Sequence, residues 1–135
     1  IEAGLLFYGY DMTPNQTPWE VGLEFTVSRT KSDFRGKSAF IAAEGNESVR
    51  NVGLIIDHGD MVNGEEVLSV DGRTVGVVNS PCYSHRLGKS LALGHIEVSV
   101  PDGTILALAG GDISTTATVV SLPIYDPQKA KTHAG

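Results

Sequence analysis

The stretch EVLSVDGRTVGVVN, residues 66–79, decides the fold class of this chain. Residues 66–70 alternate as a half-buried strand does, and Asp71-Gly72 is a dipeptide that favours a two-residue type I′ turn. Residues 73–79 then form the return strand. The stretch therefore predicts a β-hairpin.

Working outward from this hairpin, short apolar or β-branched runs predict further strands at 52–56, 91–98, 104–109 and 115–122. Asp102-Gly103 supplies a second turn of the same kind. Strands at this spacing with glycine turns indicate an antiparallel barrel or sandwich. Because closure removes exposed strand edges, we predict a mostly-β chain, an antiparallel β-barrel preceded by an irregular arm with short helices.

The arm before the barrel carries weaker signals. Residues 1–8 have apolar side chains around one helix face, and Thr17-Pro18-Trp19-Glu20 has the form of a capping box. Residues 24–27 alternate like a strand, and residues 37–44 predict a short helix. The arm holds too little apolar area to offset its ordering entropy, so we expect it to lie against the barrel or another domain.

Composition limits the classes of partner. The 135 residues carry a formal net charge of −6 and a pI near 5.0. This balance argues against nucleic acid and against an anionic membrane surface, since both favour basic proteins. One cysteine excludes an internal disulfide and favours a reducing, cytoplasmic location. The apolar opening segment lacks an N-terminal boundary, so we expect the C-terminal piece of a larger protein.

Candidate reactive side chains are few. Cys82 lies in a predicted loop, 80–86, beside His85 and Arg86, which permits either a nucleophile or a small packing residue. Gly110-Gly111 has no phosphate-loop context and predicts a turn. No metal site is predicted, because none of the histidines has metal-ligand spacing to another histidine or to the cysteine. These histidines are His58, His85, His95 and His133.

Several aromatic residues cluster early in the chain, namely Phe7, Tyr8, Tyr10 and Trp19. Such rings can sandwich a flat heterocycle, although packing is the commoner reason for a cluster. Composition and spacing alone lead no further than a mostly-β domain with an N-terminal arm.

Longer phrases of the sequence are more specific. They are, in chain order, IEAGL at 1–5 with Tyr8-Gly9 and Asp11, TPWEVGL at 17–23, Lys31 with DFRGK at 33–37, VGL at 52–54, DGRTVGVVNS at 71–80, LGK at 87–89 with LALG at 91–94, and LPIYDP at 122–127. Together they resemble conserved-looking phrases of the glycine-cleavage T-protein (aminomethyltransferase) superfamily and cover nearly the whole chain.

The resemblance implies an architecture and a reaction. Residues 1–47 correspond to a segment crossing from a folate-binding N-terminal body, 48–127 to the C-terminal β-barrel and 128–135 to a tail. The family transfers a one-carbon unit from an amine or related donor to tetrahydrofolate; in the T-protein the donor is carried by a lipoyl carrier protein. The family's catalytic Asp and pteridine-binding Glu fall upstream of Ile1, so no catalytic residue is predicted here and the chain alone is expected to be inactive.

The resemblance also implies two cofactor-binding residues, Tyr8 and Tyr125, which match tyrosines at the folate pocket and its mouth. Some relatives place a basic residue just after the second tyrosine, where this chain has Asp126, so Lys129 or Lys131 would have to substitute. The donor therefore stays open. Alternatives are a folate-dependent demethylase, a sarcosine or dimethylglycine dehydrogenase, or a barrel that binds without turnover.

Overall fold

The structure is a computed structural model that describes residues 1–128 and residue 130. A 3₁₀ helix, Glu24–Thr26, and one α-helix, α1 (Lys37–Ala43), precede the strands. The strands of the described residues are β1 (Val49–Ile56), β2 (Val67–Val70), β3 (Arg73–Ser84), β4 (Lys89–Glu97), β5 (Ile105–Gly110) and β6 (Ile113–Val120).

The strands form a closed antiparallel barrel in the order β1-β4-β3-β2-β5-β6, and β6 pairs with β1 to close it. Strands β2 and β3 form the hairpin predicted from residues 66–79, and its turn residues Asp71 and Gly72 have φ of 51° and 76°. Two positive φ angles are what a type I′ turn requires. The predicted mostly-β barrel with a preceding arm and short helices is confirmed.

The barrel interior is filled by alternate side chains of every strand. Leu54, Leu68, Leu106 and Val119 are fully buried there. Gly94 also faces inward, because a Cβ at that position would lie 3.0 Å from Leu54 Cδ1. Its missing side chain therefore lets β4 pass close to the centre of the core.

The outer face of β1 and β4 is buried as well. Leu91 and Leu93 alternate with the inward residues of β4, yet both have no exposed surface. Gly53 is opposite Leu93 on β1, and a Cβ at Gly53 would meet Ile124 at 2.7 Å. The segment after β6 therefore packs on this face, and β4 is buried on both sides.

The arm is fastened to the barrel by hydrogen bonds from separate points. The N–H of Asn51 in β1 donates to the Glu20 carbonyl at 2.8 Å, and the Asn79 amide Nδ2 donates to the Tyr10 carbonyl at 2.7 Å. The capping box forms as predicted, since the Thr17 N–H donates to Glu20 Oε2 at 2.8 Å. It closes a turn rather than a regular helix.

Two predicted arm elements are wrong. Residues 1–8 form turns and extended chain instead of a helix, with Gly4 at φ 69° and Gly9 at φ 95°. Residues 24–27 are not a strand; the Val27 N–H donates to the Glu24 carbonyl, which makes a 3₁₀ turn. The two glycines at positive φ are incompatible with a continuous helix over residues 1–8, and Phe25 stays 78% exposed, so no buried face supports a strand at 24–27. The predicted helix at 37–44 is confirmed as α1.

Candidate functional site

A tightly bonded loop at residues 7–12 presents Tyr8. Asp11 is completely buried, and its Oδ2 accepts the Phe7 N–H at 2.8 Å. The Asp11 N–H donates back to the Phe7 carbonyl at 2.9 Å, and the Gly9 N–H donates to the Met12 carbonyl at 2.8 Å. The loop is therefore held by its own backbone and by one buried carboxylate.

This loop and the residues just before it expose large apolar side chains, which we term the aromatic face: Leu5 (76% exposed), Phe7 (65%), Tyr8 (66%) and Tyr10 (64%). The Phe7 and Tyr10 rings lie 5.7 Å apart. Single exposed apolar residues are ordinary, but a run of them on one braced loop is typical of an interaction surface.

The early aromatic cluster predicted from sequence is thus divided in two. Trp19 belongs to a different place, where it stacks on Phe40 of α1 at 4.8 Å and donates from Nε1 to the Phe40 carbonyl. The Arg29 guanidinium lies 4.8 Å from the Trp19 ring centre. Trp19 therefore holds the arm together, and the other three rings remain available.

Beside Tyr8 lies a cavity of about 250 Å³. Its lining is mostly apolar and comprises Tyr8, Met12, Thr13, Pro14, Gln16, Pro18, Val21, Leu23 and Thr26. Pockets that enclose a drug-sized molecule are usually about 300–1,000 Å³. The cavity thus provides a wall for a flat ring rather than a complete enclosure.

Tyr125 lies at the other end of the N-terminal segment. Its N–H donates to the Glu2 carbonyl at 2.9 Å, and the Arg86 guanidinium lies 4.7 Å from its ring centre. The Glu2 carboxylate accepts the Ser84 hydroxyl and lies 3.7 Å from Arg86. A side-chain hydrogen bond between Arg86 and Tyr125 is the main cause that raises the pKa of Arg86, and the guanidinium therefore stays cationic.

Sequence reasoning missed Arg86 as the cation beside Tyr125. The two residues are far apart in the chain, and only the turn after β3 brings them together, so no spacing signals the pair. Lys129 and Lys131, the substitutes expected from sequence, lie outside the described residues. Tyr125 is not among the residues that line the cavity beside Tyr8.

The remaining reactive candidates occupy structural positions. Cys82 lies within β3 opposite Leu91, not in a loop as predicted. Burial raises the pKa of the Cys82 thiol, which disfavours the nucleophilic thiolate and supports the packing interpretation. Among the residues that the structure describes, no group of three or more His, Cys, Asp or Glu side chains is placed to hold a metal ion.

One buried carboxylate was also missed. Glu66 is 1% exposed and accepts the N–H groups of Asn63 and Gly64 at 2.7 and 2.9 Å. It closes the loop before β2 and has a structural role.

Across the described part of the chain, every helix is too short or too polar to cross a lipid bilayer.

Comparison with known proteins assigns the barrel. Residues 50–126 match the family described as the glycine cleavage T-protein C-terminal barrel domain. The chain is 34% identical over 97% of its length to a heme-dependent oxidative N-demethylase gamma subunit of Ectopseudomonas mendocina, and 36% identical over 96% to an aminomethyltransferase of Ralstonia pickettii. A trimethylamine-oxide aldolase of Ruegeria pomeroyi is 36% identical over 97% of the chain.

The chain spans only part of each relative: 37% of the demethylase subunit, 17% of the aldolase and 34% of the aminomethyltransferase. The crystal structure of the glycine cleavage system aminomethyltransferase T from Bartonella henselae matches 91% of this chain and 36% of its own, with a TM-score of 0.83 and 29% identity. The chain belongs to the family of glycine cleavage T-protein C-terminal barrel domains.

Proposed function

We propose that this chain is the C-terminal part of a tetrahydrofolate-dependent one-carbon transferase of the aminomethyltransferase type. The observation that carries the proposal is the aromatic face, exposed on a braced loop that the barrel itself holds in place. Family membership and the relatives' greater length support it.

The aromatic face requires a covering partner, and a folate-binding body in the same parent protein is the partner we propose. About two-thirds of each relative's length lies outside the matched part, which is long enough for such a body. In this proposal residues 1–47 cross from that body, 48–127 form the barrel domain and 128–135 the tail. A lipoyl carrier protein is a possible donor of the one-carbon unit in the aminomethyltransferase version.

The residues present fit tetrahydrofolate as one wall of its site. Tyr8 offers an exposed ring beside an apolar cavity, where a flat pteridine can lie against it. Arg86 and Tyr125 offer a cation and an aromatic ring at the other end of the segment. Bound tetrahydrofolate would accept the one-carbon unit, while this chain would orient the cofactor and exclude water, with catalytic groups supplied by the upstream body.

The test measures tetrahydrofolate binding by the parent protein. Loss of an aromatic contact costs about 0.5–1.5 kcal/mol, so Tyr8→Ala should raise Kd about two- to tenfold. Tyr8→Phe keeps the ring and should retain most of the affinity. Tyr83→Ala removes a ring that does not line the cavity and is the matched control. Equal Kd values for all variants would refute the role of Tyr8.

A second candidate is a folate-dependent demethylating enzyme, because the demethylase subunit and the aldolase match the chain as fully as the aminomethyltransferases do. The identity of the one-carbon donor separates the two candidate functions. Transfer from an aminomethylated lipoyl carrier supports the first candidate, and transfer from a methylated amine or from formaldehyde supports the second. Binding of tetrahydrofolate without transfer from any donor would favour a non-catalytic barrel.

A further inference from the structure

Two polar residues lie opposite each other on neighbouring strands of the barrel. Asn51 of β1 and His95 of β4 are directly paired across the two strands. The Asn51 N–H points away from β4, since it donates to the Glu20 carbonyl at 2.8 Å. The pair is therefore of the non-hydrogen-bonded kind, in which opposite Cβ atoms lie about 4.5–5.5 Å apart.

Both side chains are on the outer face of the barrel. The neighbouring Val52 and Ile96 belong to the interior cluster, so Asn51 and His95 alternate outward. His95 is nevertheless only 9% exposed. Asn51 and His95 thus form a polar pair next to the buried Leu93 on this face.

The polar atoms of this pair lack partners. Both amide atoms of Asn51, Oδ1 and Nδ2, and the ring atom Nε2 of His95 are buried without a hydrogen-bond partner among the described residues. A buried polar group left unsatisfied costs about 1–3 kcal/mol, and native proteins commonly meet such groups with ordered water.

We propose that Asn51 and His95 form a binding site for an internal water molecule. The water accepts from Asn51 Nδ2 and forms a hydrogen bond with His95 Nε2, and Asn51 Oδ1 is a further acceptor. This gives two to three hydrogen bonds, the usual number for a buried water. One imidazole and one amide are too few ligands for a transition metal, which sets the ligand class as water.

The position of the site gives it a role. The arm is anchored on one side by the Glu20 carbonyl at Asn51. On the other side Asn79 accepts the His95 N–H at 3.0 Å and donates to the Tyr10 carbonyl. The water lies between these anchors and fills the polar part of the joint between arm and barrel.

The test is solution NMR of the 135-residue chain. The experiment observes carbon-bound protons, because these do not exchange with solvent. They are the carbon-bound ring protons of His95 and the two Hβ protons of Asn51. We expect cross-peaks to water in both NOE and ROE spectra, with the opposite signs of a long-lived bound water. The exposed amide of Asn46 donates to the Ala42 carbonyl and is the matched control, whose Hβ protons should show none.

A variant cycle gives a second readout. Asn51→Leu and His95→Phe should each lower Tm, because each leaves the other polar group without its bridge. The double variant should recover part of that loss, since no polar atom then remains unsatisfied. Additive losses in the cycle, absent water cross-peaks, or a crystal structure with a direct Asn51–His95 hydrogen bond or a tail residue in the site would each overturn the proposal.

Discussion

Asn79 joins the arm to the barrel, and its truncation is the most direct test of that joint. His95 is opposite Val77, and the β3–β4 register shifts just beyond this pair, between Val78 and Ser80. The His95 N–H is bonded by a side chain at this irregularity. That side chain belongs to Asn79: Oδ1 accepts the His95 N–H at 3.0 Å, and Nδ2 donates to the Tyr10 carbonyl at 2.7 Å.

Asn79→Ala removes both hydrogen bonds and leaves a part-buried N–H unsatisfied. With about 0.5–1.5 kcal/mol for the exposed bond to Tyr10 and about 1–3 kcal/mol for the orphaned His95 donor, we expect the free energy of unfolding to fall by about 1.5–4.5 kcal/mol. For a chain of this size that lowers Tm by on the order of 10 °C. Amide exchange at residues 7–12 should accelerate more than exchange in the barrel strands.

The assay combines urea denaturation with hydrogen exchange. Asn79→Asp is the informative partner variant, because it keeps the acceptor for His95 but loses the donor to Tyr10. It should free the loop at 7–12 with a smaller global loss. Asn15→Ala, at an exposed position, should change stability by less than about 0.5 kcal/mol. The reasoning is refuted if Asn79→Ala matches Asn15→Ala in both measurements.

Three further outcomes follow from burial and charge. Leu93→Ala should cost about 2–5 kcal/mol in urea denaturation, the same range expected for Leu54→Ala, although Leu93 lies on the outer face of the barrel; a loss below about 1 kcal/mol would contradict burial by the segment after β6. The hydrogen bond from the Thr17 N–H lowers the pKa of Glu20 below its ordinary 4.5, so ionised Glu20 stabilises the fold above that pH, and this stabilisation is lost as pH falls through the lower folded pKa. Glu20→Gln should therefore be less stable than the unchanged chain at neutral pH, and the difference in free energy of unfolding should narrow in acid. A difference that stays constant with pH would contradict this. Gly94→Ala places a Cβ 2.8 Å from a β3 carbonyl oxygen and should lower Tm by several degrees, and an unchanged Tm would show that the strands can separate there at little cost.

Local chemistry made much of the barrel predictable. Asp71-Gly72 permits two positive φ angles in succession, so the β2–β3 hairpin can be predicted from neighbouring residues alone. The capping box at Thr17 and Glu20 likewise depends on residues three apart, and its hydrogen bonds form. Features of this kind need no knowledge of the tertiary structure.

The features that sequence did not reveal depend on distant segments. Residues 1–8 have apolar positions that suit a helix, but Glu2 and Gly4 are instead held by the segment around Leu122 and Tyr125. Arg86 and Tyr125 are 39 positions apart in the chain, and only the tertiary structure brings the guanidinium to 4.7 Å from the ring centre. Such contacts carry no periodic signal, which is why the aromatic pair at the candidate site was predicted without its cation.

The double burial of β4 explains how an arm with little structure of its own can present a rigid surface. Leu91 and Leu93 are buried on the outer face where the segment after β6 packs, and their burial stabilises that packing. The arm is bonded to the neighbouring part of the barrel at Asn51 and Asn79. The arm's regular secondary structure is slight, and its order therefore comes from the barrel face beneath it. The Tyr8 side chain is 66% exposed, and Asn79 of β3 bonds to the carbonyl of Tyr10 in the same loop. A partner that binds the aromatic face therefore meets a loop that is already bonded to the barrel, which reduces the ordering entropy lost on binding.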